Sequence, residues 1–172
     1  ARCGLKTFYT GAAGGDFTIS NTHEFQVETP SGEDEIVVCR LCGFAENKEV
    51  GEHKVAEHCP KCESGVLDKI NAVEVGNIFP LGTKYSEAFN LRFRDKKGES
   101  RHVVMGSYGI GLGRVMGTAV EVYHDEKGII WPQALAPFRA HLLLIGETTP
   151  ELKKAGDTLY NKLVKTGVEV LY

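Results

Sequence analysis

The sequence predicts an α+β protein: a mainly antiparallel sheet with one internal helix, followed by the start of a separate α/β unit near residue 137. Three patterns predict it. Apolar and polar residues alternate over 23–27 and again over 88–94, and turn residues at 95–98 follow the second run, which reads as strands and a hairpin. An apolar, β-branched run at 102–105 passes through a glycine-rich segment into 112–123. There Leu112, Val115, Met116, Ala119, Val122 and Tyr123 fall at helical spacing, with Arg114, Thr118 and Glu121 on the opposite face. From residue 141 the chain reads strand, helix, strand, the opening of a βαβ unit.

Taken in order, residues 1–9 are mixed and short, and the small residues 10–15 read as a flexible loop. The strand at 23–27 puts His23, Phe25 and Val27 on one face. Glu24 and Gln26 lie on the other, where a carboxylate either meets solvent or grips a substrate ammonium. Residues 29–34 form a turn. The apolar residues 36–38 then lead into two C-x2-C pairs, Cys39 with Cys42 and Cys59 with Cys62, separated by residues 43–58. That spacing fits a four-thiolate zinc site, closed and structural, with Gly43 and Gly65 at the knuckle turns. Two disulfides would need a secretory setting, and a redox C-x-x-C would need a βαβ setting. His53 and His58 read as surface residues of the connecting segment, and Cys3 as a bystander.

Residues 68–79, with Ile70, Ala72, Val73, Val75 and Ile78, read as a sheet strand in which Gly76 marks a bulge or a ligand's approach. Residues 81–86 read as a polar loop and 88–94 as the first arm of the hairpin. Arg92, Arg94, Lys96, Lys97 and Arg101 give this hairpin the only local cluster of basic charge, read as a solvated surface. After a polar turn at 124–128 and a short extended piece at 129–133, Ala136 and Pro137 form a linker. The continuous apolar run 141–145 is the mark of a strand buried on both faces. Thr149 and Pro150 start a helix over 151–166 and Gly167 ends it.

Composition narrows the function. Apolar content of 42% and charged content of 25% are ordinary for a soluble globular domain, and a net charge of −3 gives no global field for nucleic acid. No apolar run approaches the roughly 20 residues that span a bilayer. The chain opens without an initiating methionine or a signal peptide and closes on what reads as an unfinished strand, so it is expected to be a piece of a longer protein.

The segment 106–114 carries the chemistry. Neither the dinucleotide fingerprint nor the phosphate-loop pattern is present; what remains is G-x-G-x-x-R, ending at Arg114. A guanidinium can stack on a purine while its donors reach phosphate oxygens. On the residues alone this reading stands beside another, a tightly packed strand–helix corner with a surface arginine. Gly109, Gly111, Gly113 and Gly117 are poor helix openers, so a ligand or another strand must come close to the backbone.

Several strings together resemble the bacterial-type prolyl-tRNA synthetases, which are class II aminoacyl-tRNA synthetases. They are Gly14-Gly15 followed by residues 23–27, the run 32–34 before the first cysteine pair, the long run 74–88, the motif-3-like segment 106–114, and 124–138. The resemblance implies the C-terminal part of an antiparallel class II catalytic sheet over 1–136, a zinc-knuckle insertion at about 37–66, and the start of an α/β anticodon-binding domain over 137–172. It implies ATP-dependent activation of proline to prolyl-adenylate and transfer to tRNA(Pro), with Mg2+ accompanying ATP, in a cytoplasmic enzyme that is a homodimer at full length. Carried over by residue, Arg114 holds ATP and is the catalytic group, Thr83, Gly109 and Gly111 serve the ATP site, and Glu24, Tyr85 and Ser107 serve proline. The upstream motifs are missing, so residues 1–172 alone are expected to be inactive. Asn77 and Pro80 depart from the usual histidine and glutamine. The short 43–58 segment stands where many relatives carry an editing domain, so no editing in cis is expected. The complete zinc set is found only in some relatives. The alternatives are another class II synthetase and a zinc-ribbon module that binds RNA or protein.

Overall fold

One strand organises the sheet. In the computed structural model, β5 (Leu67–Gly82) runs sixteen residues and is paired along nearly its whole length. The structure describes residues 2–18 and 22–172, without the side chain of Phe17. Ala1, and residues 19–21 ahead of the expected strand 23–27, lie outside the described residues. β2 (Thr22–Glu28) pairs antiparallel with 72–78 and β3 (Asp34–Cys39) with 67–72, so the two follow one another beside β5. The turn between them is an excursion from that line. β1 (Phe8–Ala12) extends β2, and β4 (Ala45–Asn47) extends β3. β8 (Met105–Ile110) pairs with the C-terminal part of β5, which completes a six-stranded, mainly antiparallel sheet.

Two corrections follow from pairing at long range. The expected loop 10–15 is strand as far as Ala12, because its backbone bonds to β2; Thr10 is buried there and its hydroxyl donates to the Glu24 carbonyl. The expected strand 102–105 instead breaks at Val103 and Val104, and the glycine segment beyond it forms β8. The anticipated irregularity at Gly76 is real: the β2–β5 register shifts between Phe25 and Gln26, so Val75 is the extra residue.

Helix α1 (Lys84–Ala88) replaces the expected polar loop, and the hairpin beyond it is shorter than its alternation suggests, β6 (Arg92–Arg94) with β7 (Ser100–His102). Helix α2 (Leu112–Val122) packs Val115 and Ala119 against Leu5, Val27 and Val75. The predicted stripe is covered on one side only, because Leu112 and Met116 are exposed, while Thr118, expected on the polar face, is buried. A second cluster (Phe8, Ile36, Val38, Ala45, Ile70 and Ala72) fills one face of the β3 region, and Val37, Cys39, Cys59 and Leu67 form a third on the other. An uninterrupted apolar β3 is what burial on both faces requires.

Beyond residue 123, β9 (His124–Asp125) and β10 (Gly128–Ile129) form a small hairpin, and Trp131 and Leu135 pack on the α2 cluster. β11 (Ala140–His141) pairs parallel with β12 (Val170–Leu171) across helix α3 (Pro150–Lys165), so the βαβ order is as expected. Thr149 caps α3 by accepting from the Leu152 N–H, and Gly167 ends it at φ +79°. The run 141–145 is not buried on both faces: Leu143 and Ile145 are exposed, because only His141 of it is paired in the ladder and no second layer of the described residues lies over these two side chains. No described helix is long and apolar enough to cross a membrane.

Candidate functional site

Arg114 stands in the first turn of α2, directly after the Gly111 cap, and its guanidinium reaches back over β5. Its Nη1 donates to Glu74 Oε2 at 2.6 Å and to the Glu74 carbonyl at 3.3 Å. The other Glu74 oxygen accepts from Asn77 Nδ2 at 2.9 Å. One nitrogen of the guanidinium is therefore anchored, while Nε and Nη2 have no partner among the described residues, and the side chain is 56% exposed. It lines a narrow cleft of about 250 Å³ along Gly76, Asn77, Gly109 and Gly111, and a groove of about 380 Å³ bounded by Ser31, Asp34, Glu74, Thr118 and Glu121.

The glycines explain how the corner closes. A Cβ on Gly109 would stand 2.7 Å from Asn77 Oδ1, and one on Gly76 would stand 2.9 Å from the Gly109 carbonyl. The close approach at these positions is therefore made by the neighbouring strand and its carboxamide. A Cβ on Gly111 would press on the Arg114 stem. Glu121, about two turns further along the helix, accepts from the Ser31 N–H at 3.1 Å and its hydroxyl at 2.5 Å, which ties the turn 29–33 to α2 as a wall of the groove. Reading the sequence singled out neither Glu74 as the partner of Arg114 nor Glu121. The i, i+4, i+7 spacing of Arg114, Thr118 and Glu121 is the signal that could have found the latter.

Tyr85 and Ser107 line one apolar groove of about 690 Å³, with Phe79, Leu81, Phe89 and Met105. Asn77 borders both this groove and the Arg114 cleft, so the two are neighbours across β5. Thr83 is not brought into either. It precedes α1 and its hydroxyl donates to Glu87 Oε1 at 2.5 Å.

Glu24 pairs in register with Asn77 across β2 and β5 and is half-buried, with Gln26 wholly buried beside it, so this side of β2 is not a solvated face. Gln26 Nε2 donates to Glu24 Oε2 at 3.0 Å and to Asp34 Oδ2 at 2.6 Å. Burial raises the Glu24 carboxyl above the usual range, and the nearby Glu74 and Asp34 carboxylates add to the rise. Such a group is strained by its charge and gains from a bound cation. The sign follows from linkage: the penalty is absent at low pH, where Glu24 is protonated folded or unfolded, and grows as pH rises through its folded value. Glu24→Gln is therefore expected to raise the melting temperature slightly at neutral pH and to lose that advantage at acidic pH. Thermal unfolding across pH checks this; a wild-type protein more stable than the variant at neutral pH contradicts it.

The four cysteines are brought together. Their sulfurs all lie within 4.8 Å of one another, with Cys39 to Cys62 at 3.7 Å and Cys42 to Cys59 at 3.5 Å. Tetrahedral zinc with bonds of about 2.3 Å sets its sulfurs just under 4 Å apart, so the cluster is compatible with that ion. Both knuckles have one design. The Cys39 carbonyl accepts from Gly43 N–H and the Cys59 carbonyl from Glu63 N–H, while the Cys39 and Cys59 N–H groups donate to Phe44 and Gly65 carbonyls. Gly43 makes its turn at φ +75°, but in the second knuckle Glu63, not Gly65, takes the left-handed position, at φ +57°. Gly65 serves instead to admit a sulfur: a Cβ there would stand 2.4 Å from Cys39 Sγ. The backbone N–H of Cys42 helps to lower the Cys39 thiol to about 7. Cys42, despite the backbone N–H of Phe44, is pushed up to about 12 by burial and the surrounding thiols. Four sulfurs this close need a divalent cation to ionise together.

Comparison with known proteins adds to this geometry. A family model described as the tRNA synthetase class II core domain (G, H, P, S and T) matches residues 2–123. A proline–tRNA ligase of Anaeromyxobacter sp. (strain Fw109-5) is 51% identical over 119 residues, which is 69% of this chain and 20% of that protein. One of Citrifermentans bemidjiense is 36% identical over 168 residues, 98% of this chain and 27% of that protein. The chain thus spans between a fifth and about a quarter of the length of these curated relatives. In fold, it is similar to a crystal structure of prolyl-tRNA synthetase from Cryptosporidium parvum complexed with halofuginone and AMPPNP, with a TM-score of 0.58 at 18% identity, over 97% of this chain and 27% of that one. A second structure from that organism, complexed with L-proline and AMP, gives a TM-score of 0.57 at 19% identity, over 96% of this chain and 27% of that one.

Proposed function

The chain belongs to the class II tRNA synthetase core family, and from that premise we propose that it is the C-terminal part of the catalytic core of a prolyl-tRNA synthetase, with residues 137–172 opening the anticodon-binding domain. The observation that carries this reading is the placement of Arg114. Its guanidinium is rooted by one nitrogen on Glu74, whose other carboxylate oxygen is held by Asn77, and offers its remaining donors to a cleft that adjoins the Tyr85–Ser107 groove.

In this reading ATP, carried with Mg2+, lies on the Arg114 side and proline in the groove lined by Tyr85 and Ser107, while the acids around Glu24 favour its ammonium. The proline carboxylate attacks the α-phosphate in line, the bond to pyrophosphate breaks, and prolyl-adenylate forms; the prolyl group then passes to tRNA(Pro). The step needs alignment and charge neutralisation, which a rooted guanidinium supplies, and no side-chain base. Thr83 would serve ATP only after its bond to Glu87 is exchanged for one to the nucleotide. Zinc on Cys39, Cys42, Cys59 and Cys62 is structural, since four protein ligands close the site. The segment 43–58 holds β4 and the knuckle connection, and the same proposal includes no editing in cis. Dimerisation at full length and a cytoplasmic location belong to the same proposal.

The test is ATP–pyrophosphate exchange by the full enzyme carrying this segment. Proline alone among the amino acids is expected to drive exchange. Exchange driven by another amino acid, or by none, removes the assignment.

A further inference from the structure

The β6–β7 hairpin stands off the main sheet as a separate two-stranded arm, and both of its ends are tied to the amino acid groove. Leu91 N–H donates to the Ser86 carbonyl and Val103 N–H to the Leu91 carbonyl, while Phe89 just before the arm and Met105 just after it line that groove. The arm carries five cations against two acids. Both acids, Asp95 and Glu99, are spent on Arg101, at 2.7 Å each. Arg92 turns to Ser100 and His102 and Arg94 to the Gly98 carbonyl, and neither meets a carboxylate among the described residues. Lys96 and Lys97 crown the turn with no side-chain partner among the described residues; there the Asp95 carboxylate accepts from the backbone N–H groups of Lys97 and Glu99. Phe93, between Arg92 and Arg94, is exposed, and so is Phe89 just before the arm. Uncompensated cations interleaved with exposed aromatics, on a chain of net charge −3, form a local and not a global attraction.

We infer that this arm binds the phosphate backbone of the tRNA near its acceptor end and guides the 3′ terminus into the groove flanked by Tyr85, Phe89 and Ser107. The inference rests on the proposed function, because only a reaction that ends on a nucleic acid brings a polyanion to the mouth of an amino acid pocket. Each cation that neutralises a phosphate releases a counterion, so the arm's contribution must fall as salt rises.

The experiment measures tRNA(Pro) binding by fluorescence anisotropy between about 50 and 200 mM salt for the full enzyme, the double variant Lys96→Ser with Lys97→Ser, and the double variant Lys96→Arg with Lys97→Arg. The serine variant is expected to bind about tenfold or more weakly at low salt and to reduce the slope of log affinity against log salt by roughly 1 to 2. The arginine variant is expected to keep wild-type binding. Proline-dependent pyrophosphate exchange, which needs no tRNA, is expected to be unchanged in all three. A serine variant with wild-type affinity and slope overturns the inference while exchange stands. Loss of exchange together with tRNA binding in the serine variant, or failure of arginine to restore binding, overturns it as well. A wild-type enzyme without proline-dependent exchange removes the proposed function and, with it, tRNA as the partner.

Discussion

Replacing Cys39 with serine is expected to release zinc and lower the melting temperature by about 10 °C or more, the shift that a loss of about 4 kcal/mol produces at this chain length. Cys39 joins the end of β3 to the second knuckle. It is the last residue of β3, wholly buried, and packs with Val37, Cys59 and Leu67, while its sulfur faces Cys62 across 3.7 Å. Residues 48–66 contain no strand or helix of their own, so a shared ion, more than any sheet pairing, is what would hold the second knuckle against the first. A buried serine costs something in its own right, which makes chelation the necessary companion. Stripping the wild-type protein with a chelator is expected to give most of the same loss, and added zinc is expected to restore it. Gly65→Ala offers an independent arm, because its methyl group would invade the position of the Cys39 sulfur while all four ligands remain. A protein that contains no metal, and melts alike with and without chelator, has no zinc site.

How far the sequence discloses this architecture depends on where each signal resides. The cysteine spacing is local and chemical, and the cluster forms as anticipated. Helix α3 is legible because its cap, its periodicity and its terminating glycine all lie within nineteen residues. Thr10, Gly11 and Ala12 carry no strand signal of their own; they are strand because β2 supplies their partners, a cause that no local window contains. The run 141–145 errs in the other direction, since apolar continuity records what a strand can bury, and the described chain provides only β12 beside it. In the knuckles, glycine is the expected occupant of a left-handed turn, yet Glu63 takes that conformation while Gly65, two residues later, supplies space for a sulfur. Arg114 is legible as a motif, but its tether is not: Glu74 lies forty residues away and reaches it only because β5 and β8 are paired and α2 turns back across them.

That tether gives the Arg114 prediction its content. Arg114→Ala in the full enzyme is expected to lower kcat/KM for ATP in proline-dependent exchange by about 10²- to 10³-fold, the usual consequence of removing one well-placed charged donor from a developing transition state. The loss could arise in a second way. Alanine frees the Glu74 carboxylate, which then keeps only Asn77 and adds uncompensated charge beside Glu24, so activity could fall because the acids rearrange. Arg114→Lys separates the two. A lysine restores the positive charge beside Glu74 but cannot anchor with one donor and present a flat, forked remainder to a purine and its phosphates. If Arg114 reads the nucleotide, the lysine variant should match wild type in thermal stability and remain within about tenfold of the alanine variant in ATP kinetics. If Arg114 only neutralises Glu74, the lysine variant should recover most of the activity. Recovery to within a few-fold of wild type would return the motif to what the sequence alone also permits, a packed strand–helix corner with a charged residue at its surface.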